Sequence, residues 1–75
     1  MKKKTRLEAL IEHRNNIYLR KVGLEIDEKF FSRENLIAKG NEHLEIEKKL
    51  NNIKSAINGH NNILKVIDEM IKEAK

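Results

Sequence analysis

Residues 46–74 read IEKKLNNIKSAINGHNNILKVIDEMIKEA, and in them Ile46, Leu50, Ile53, Ile57, His60, Leu64, Ile67, Ile71 and Ala74 recur at alternating steps of four and three. That repeat keeps one narrow stripe of an α-helix facing a partner along its whole length. The stripe predicts a long amphipathic helix built to pack against another helix. Asn58-Gly59-His60-Asn61-Asn62 places five polar or flexible residues in its middle. Ile53 and Ile57 before them nevertheless stay in phase with Leu64 and Ile67 after them. A loop has no reason to conserve that phase, so the helix is expected to run through, with this segment as its weak point.

Working toward the N-terminus, Gly40-Asn41 is the clearest break. Glycine can end one helix and asparagine can cap the next, so the second helix is expected from Glu42 onward. Thr5-Arg6-Leu7-Glu8 fits a capping box, in which the Thr5 hydroxyl and the Glu8 carboxylate satisfy each other's free backbone N–H groups. That starts the first helix near Arg6. Its apolar stripe runs Leu7, Leu10/Ile11, Ile17/Tyr18, Val22, Ile26, Phe30, Ile37.

Gly23 admits two readings. Arg20-Lys21-Val22-Gly23-Leu24 has the pattern of a helix C-terminus, with Asp27 or Ser32 then capping a short helix to Lys39. Alternatively the helix continues, since the stripe keeps phase from Tyr18 through Val22, Ile26 and Phe30 to Ile37 and a mid-helix glycine costs only ~1 kcal/mol. Preserved phase favours the continuous helix.

The expected fold is therefore all-α, an antiparallel hairpin of two long helices, with residues 1–5 as a basic tail and 6–75 as a single domain. Each arm of about 34 residues is roughly 50 Å long. A tight turn at 40–41 pairs residues whose numbers add to about 81. In that register Ile37 meets Leu44, Phe30 meets Asn51 or Ile53, Tyr18 meets Ile63, and Leu7 meets Ala74. Gly23 comes level with Gly59, which suggests a close backbone crossing or a shared hinge. The second helix carries Ala56, Ile63, Val66 and Met70 beside its seam, a stripe too wide for two helices to cover. A homodimer forming a coiled coil or four-helix bundle is the simplest way to bury it.

Composition bounds the rest. A chain of 75 residues allows one domain, and its core is thin. It has no cysteine and no proline, so disulfides and thiolate metal sites are excluded and long helices are favoured. Charged residues at 37% beside 39% hydrophobic match amphipathic helices rather than disorder. No apolar run approaches membrane-spanning length, and Lys2, Lys3 and Lys4 lead into no signal-peptide core. A cytoplasmic protein is the expectation.

The net charge of +4 comes from 16 Lys and Arg against 12 Asp and Glu, and Lys2, Lys3, Lys4 and Arg6 supply the whole excess. A nucleic-acid binder normally spreads basic residues along a face, because affinity comes from neutralising several phosphates at once. Only the tail qualifies, with Arg14, Arg20 and Lys21 on the first helix as further candidates. There is no aromatic stacking platform beyond Tyr18 and no helix-turn-helix.

Catalytic and metal chemistry find no footing. The residues three before His13, His43 and His60 are Leu10, Gly40 and Ile57, so no Glu-x-x-His pair exists, and no set of zinc ligands comes together. Thr5, Ser32 and Ser55 read as caps or exposed helix residues rather than activated nucleophiles. His60 reads as a polar seam residue that fixes register, near Lys21 or Tyr18. Leu10-Ile11-Glu12-His13-Arg14, Val22-Gly23 and Arg33-Glu34 loosely resemble the helices of all-helical chorismate mutases. The upstream turns that carry a further arginine in that family are missing, Val-Gly is shifted in register and the chain is short, so no membership follows.

The expected function is non-enzymatic protein–protein interaction, as a small adaptor, inhibitor or assembly subunit, with no cofactor. Small lysine-rich helical accessory proteins of phages and mobile elements are an analogy for such a chain. The partner would be a second copy or another protein, met through Tyr18, Phe30, Phe31, Ile63, Val66 and Met70. Phe30 and Phe31 cannot both face one core. The alternative is association with nucleic acid through Lys2, Lys3, Lys4 and Arg6.

Overall fold

The computed structural model describes residues 4–74. Two helices account for nearly all of them: α1, Arg6–Ile37, and α2, Asn41–Ala74. Both run unbroken, through Gly23 in α1 and Gly59 in α2. They lie antiparallel in a rod of 55 × 24 × 13 Å with a radius of gyration of 17.1 Å, against about 11 Å for a compact chain of this length.

Thr5 caps α1, its hydroxyl oxygen accepting from the Glu8 N–H at 3.1 Å. The reciprocal half of the expected box differs. The Thr5 hydroxyl donates to Glu8 Oε1 at 3.1 Å, so the carboxylate meets the side chain rather than the Thr5 backbone. α1 ends at Ile37. Ala38 is extended at φ −75 and ψ 145, and its N–H still donates to Glu34 O at 3.0 Å. Gly40 then takes φ 64, the left-handed region that a Cβ penalises, and turns the chain directly into α2 at Asn41.

The seam of α2 packs as its sequence predicts. Ile46, Leu50, Ile53, Ile57, His60, Leu64, Ile67 and Ile71 are all buried or half-buried, and only Ala74 at the tip is exposed. The register also holds. Arg14 Nε donates to Asp68 Oδ1 at 2.6 Å, and Lys49 Nζ sits 5.4 Å from the centre of the Phe31 ring. Those pairs of residue numbers add to 82 and 80, bracketing the expected value.

The face that α1 turns toward α2 matches the stripe read from its sequence at Leu7, Leu10, Ile17 and Val22 and departs from it beyond. Tyr18, Ile26, Phe30 and Ile37 are exposed at 50%, 64%, 56% and 76%, and Leu44 opposite the last is exposed as well. Leu7, Leu10, Arg14, Ile17, Lys21, Leu24, Glu28, Phe31, Asn35 and Ala38 are buried or half-buried at steps of three and four, with Val22 and Glu34 half-buried beside them. Tyr18 and Ile63 thus stay about half exposed, and Phe30 is not a core residue of the seam.

The reason is periodicity. Successive steps of four residues advance about 40° around a helix. The run Tyr18, Val22, Ile26, Phe30 therefore slants off any partner lying alongside within a few turns. Leu10, Ile17, Leu24 and Phe31 recur every seven residues and stay level with Ile71, Leu64, Ile57 and Leu50 over the full length.

Arg14, Lys21, Glu28 and Asn35 occupy the alternate seam positions of α1. Arg14 reaches out to Asp68 while its stem covers the seam. Asn35 Oδ1 is buried without a hydrogen-bond partner among the described residues. With these four polar residues in one seam, the shared core is thin: among the described residues only Ile17, Leu50 and Ile67 are buried hydrophobics.

Candidate interaction surface

The ridge that α1 withholds from α2 is the most distinctive surface of the molecule. Tyr18, Val22, Ile26 and Phe30 follow one another at steps of four and form a continuous apolar ridge slanting across α1. Beside it runs a second ridge of Glu25, Lys29 and Arg33. Between the two lies an open groove of about 500 Å³, lined by Val22, Glu25, Ile26, Lys29, Phe30 and Arg33. Every one of those residues belongs to α1.

Phe30 and Phe31 divide as their adjacency requires. Phe31 turns inward, half-buried under Lys49, while Phe30 stays 56% exposed. Their rings touch edge to face, 5.3 Å apart at 74°, which anchors Phe30 in place at the end of the ridge.

On α2, Ile63 and Val66 are 44% and 54% exposed, whereas Met70 and Ala56 are half-buried against the hairpin. The apolar excess is thus distributed differently from the expectation that centred on α2. Among the described residues, seven of the ten exposed large hydrophobics (Ile11, Tyr18, Leu19, Ile26, Phe30, Leu36 and Ile37) are on α1. The six candidate residues do not form one patch. Tyr18 and Phe30 share the α1 ridge, Ile63, Val66 and Met70 sit on α2, and Phe31 belongs to the seam. The signal that could have separated them was the seven-residue repeat at Leu10, Ile17, Leu24 and Phe31, masked in the sequence by charged neighbours.

His60 lies in the seam, level with Lys21. Its Nδ1–H donates to the Ala56 carbonyl oxygen at 2.7 Å, and the residue lines a groove with Arg20, Gly23, Leu24, Ile26 and Asp27. His43 Nε2 lies 3.1 Å from Glu47 Oε1, one turn on. Groups of three or more metal-ligating side chains are absent among the described residues. Gly23 and Gly59 come level without touching: a Cβ built on either meets nothing within 4 Å, so no close backbone crossing occurs there.

Of the basic candidates, Lys2 and Lys3 lie outside the described residues. Lys4 is exposed and pairs with Glu12. Arg6 opens α1 and is exposed. No helix of the described residues is long and apolar enough to cross a membrane. No family model, curated protein or solved structure matches the chain.

Proposed function

We propose that the protein is a non-enzymatic interaction module, a small adaptor, inhibitor or assembly subunit that engages a protein partner through an apolar helix face. The observation that carries this reading is the ridge of Tyr18, Val22, Ile26 and Phe30, exposed except at the half-buried Val22, on a helix whose other side forms the seam toward α2. Exposed apolar side chains in a contiguous row mark association surfaces, because water is expelled from them only by a complementary surface. α1 is apolar on two sides, the pattern of a helix that lies inside an assembly.

The test is photo-crosslinking in the producing cells, with a benzophenone side chain placed at Phe30 or, as a control, at Lys65 on the exposed side of α2. A discrete protein adduct, self or other, formed from position 30 and not from position 65 is the expected result. Adducts to nucleic acid only, together with binding of the purified chain to nucleic acid that weakens steeply as salt is raised, would replace this reading with the one based on the basic tail.

A further inference from the structure

We infer that Asn58 is a self-modification site, where opening of the middle turn of α2 lets the Gly59 amide nitrogen displace the Asn58 side-chain amide. The hairpin thereby carries a built-in lifetime, set by how often that turn opens.

The chemistry starts from one dipeptide. When the backbone nitrogen after an asparagine attacks its Cγ, a new N–C bond closes a succinimide ring and the Cγ–Nδ2 bond breaks. Ammonia leaves, taking the attacking nitrogen's proton. Water then opens the ring. Addition at Cγ gives aspartate, and addition at the main-chain carbonyl gives isoaspartate, whose backbone runs through the former side chain. A water is consumed, an ammonia is released, and no oxidant enters. The attacking nitrogen must be uncrowded, which glycine provides by lacking a Cβ. Of the nine asparagines only Asn58 precedes glycine, and the others precede Asn, Ile, Leu or Glu.

The fold sets the rate. Asn58 and Gly59 are both exposed, so water reaches the pair. While α2 is closed, the Gly59 N–H donates to the Ser55 carbonyl four residues back, and the helical ψ keeps Cγ from that nitrogen. Attack therefore waits for this turn to open. Three features make opening easy. Asn58, Gly59, His60, Asn61 and Asn62 are weak helix formers in succession. No side chain closes over them at Gly59, where a Cβ would meet nothing within 4 Å. The seam position in this turn is held by His60 rather than by an aliphatic residue, so opening forfeits little apolar burial.

The two products differ in effect. Aspartate keeps the main chain and nearly the helix propensity of asparagine. Isoaspartate adds a main-chain atom, so the hydrogen bonds spanning it fail and Leu64 and Ile67 lose phase with Ile53 and Ile57. The register with α1 depends on that phase, so the second half of α2 detaches from its neighbour.

The experiment is timed incubation of the full chain at neutral pH, in buffer and in urea. Peptide mass spectrometry with fragmentation that separates aspartate from isoaspartate reads the result. Conversion should concentrate at Asn58 in both solvents and run roughly 10- to 100-fold slower in buffer, as for opening well short of global unfolding. Equal rates in the two solvents overturn the gating, and a rate in buffer at Asn58 no higher than at the other asparagines overturns the site.

Gly59→Ala strengthens the helix, so beyond slowing the chemistry itself it should widen the urea-to-buffer ratio about fivefold. An unchanged ratio overturns opening as the gate. Isoaspartyl chain prepared in urea and returned to buffer should have lower helicity and a lower Tm, while Asn58→Asp stays native. Native helicity and Tm in the isoaspartyl chain overturn the effect on the seam.

Discussion

Replacing both helix-interior glycines with alanine tests whether α1 and α2 are continuous rods, and the expected gain follows from the geometry. Gly23 and Gly59 sit mid-helix, and a Cβ on either would meet nothing within 4 Å. Neither substitution can clash or add packing, so each should yield the propensity difference alone, about 0.8–1.0 kcal/mol in favour of alanine. The sites share no contact, which makes the effects additive at about 1.6–2 kcal/mol. With an unfolding entropy near 2.1 cal/mol/K per residue, a 75-residue chain should gain roughly 10–13 °C in Tm.

The assay is thermal and urea unfolding followed by circular dichroism, at one fixed chain concentration so that the variants are compared on equal terms. Gly40→Ala serves as the opposite control. Its φ of 64 suits glycine and penalises a Cβ, so this variant should lose about 1 kcal/mol or more. A Tm that stays still or falls for Gly23→Ala or Gly59→Ala would refute the reasoning and show that the helix bends at that glycine.

Two further substitutions probe the seam. Ile17→Ala, at a residue 4% exposed, should cost about 2–3 kcal/mol, whereas Leu36→Ala, 85% exposed, should stay within about 0.5 kcal/mol; urea midpoints of the pair show which side of α1 is core. Asn35→Leu should gain about 1 kcal/mol, since it removes a buried unpaired acceptor and offers an apolar side chain to the seam at the level of Ile46. A loss measured by the same unfolding curves would mean that Asn35 has a donor in solution.

The sequence alone determined the helices, the turn and the register. The four-and-three repeat of α2, the capping residues at Thr5 and Glu8 and the glycine at 40 are local signals, each acting through groups within a turn or two of the chain. Continuity through Gly23 and Gly59 was legible for the same reason, as the apolar phase on both sides outweighs one residue's propensity. The side of α1 that forms the core was decided only by tertiary structure. α1 carries apolar residues in two rows, and its sequence does not rank them. The row at steps of four is the more continuous to read, yet it slants away from a parallel neighbour. The row at steps of seven is interrupted by Arg14, Lys21, Glu28 and Asn35, yet only it can match α2 level by level over the length of the hairpin. Once that row is taken, Tyr18, Ile26 and Phe30 are left exposed and Val22 half-buried, so the candidate surface follows from how two helices fit together and not from either one.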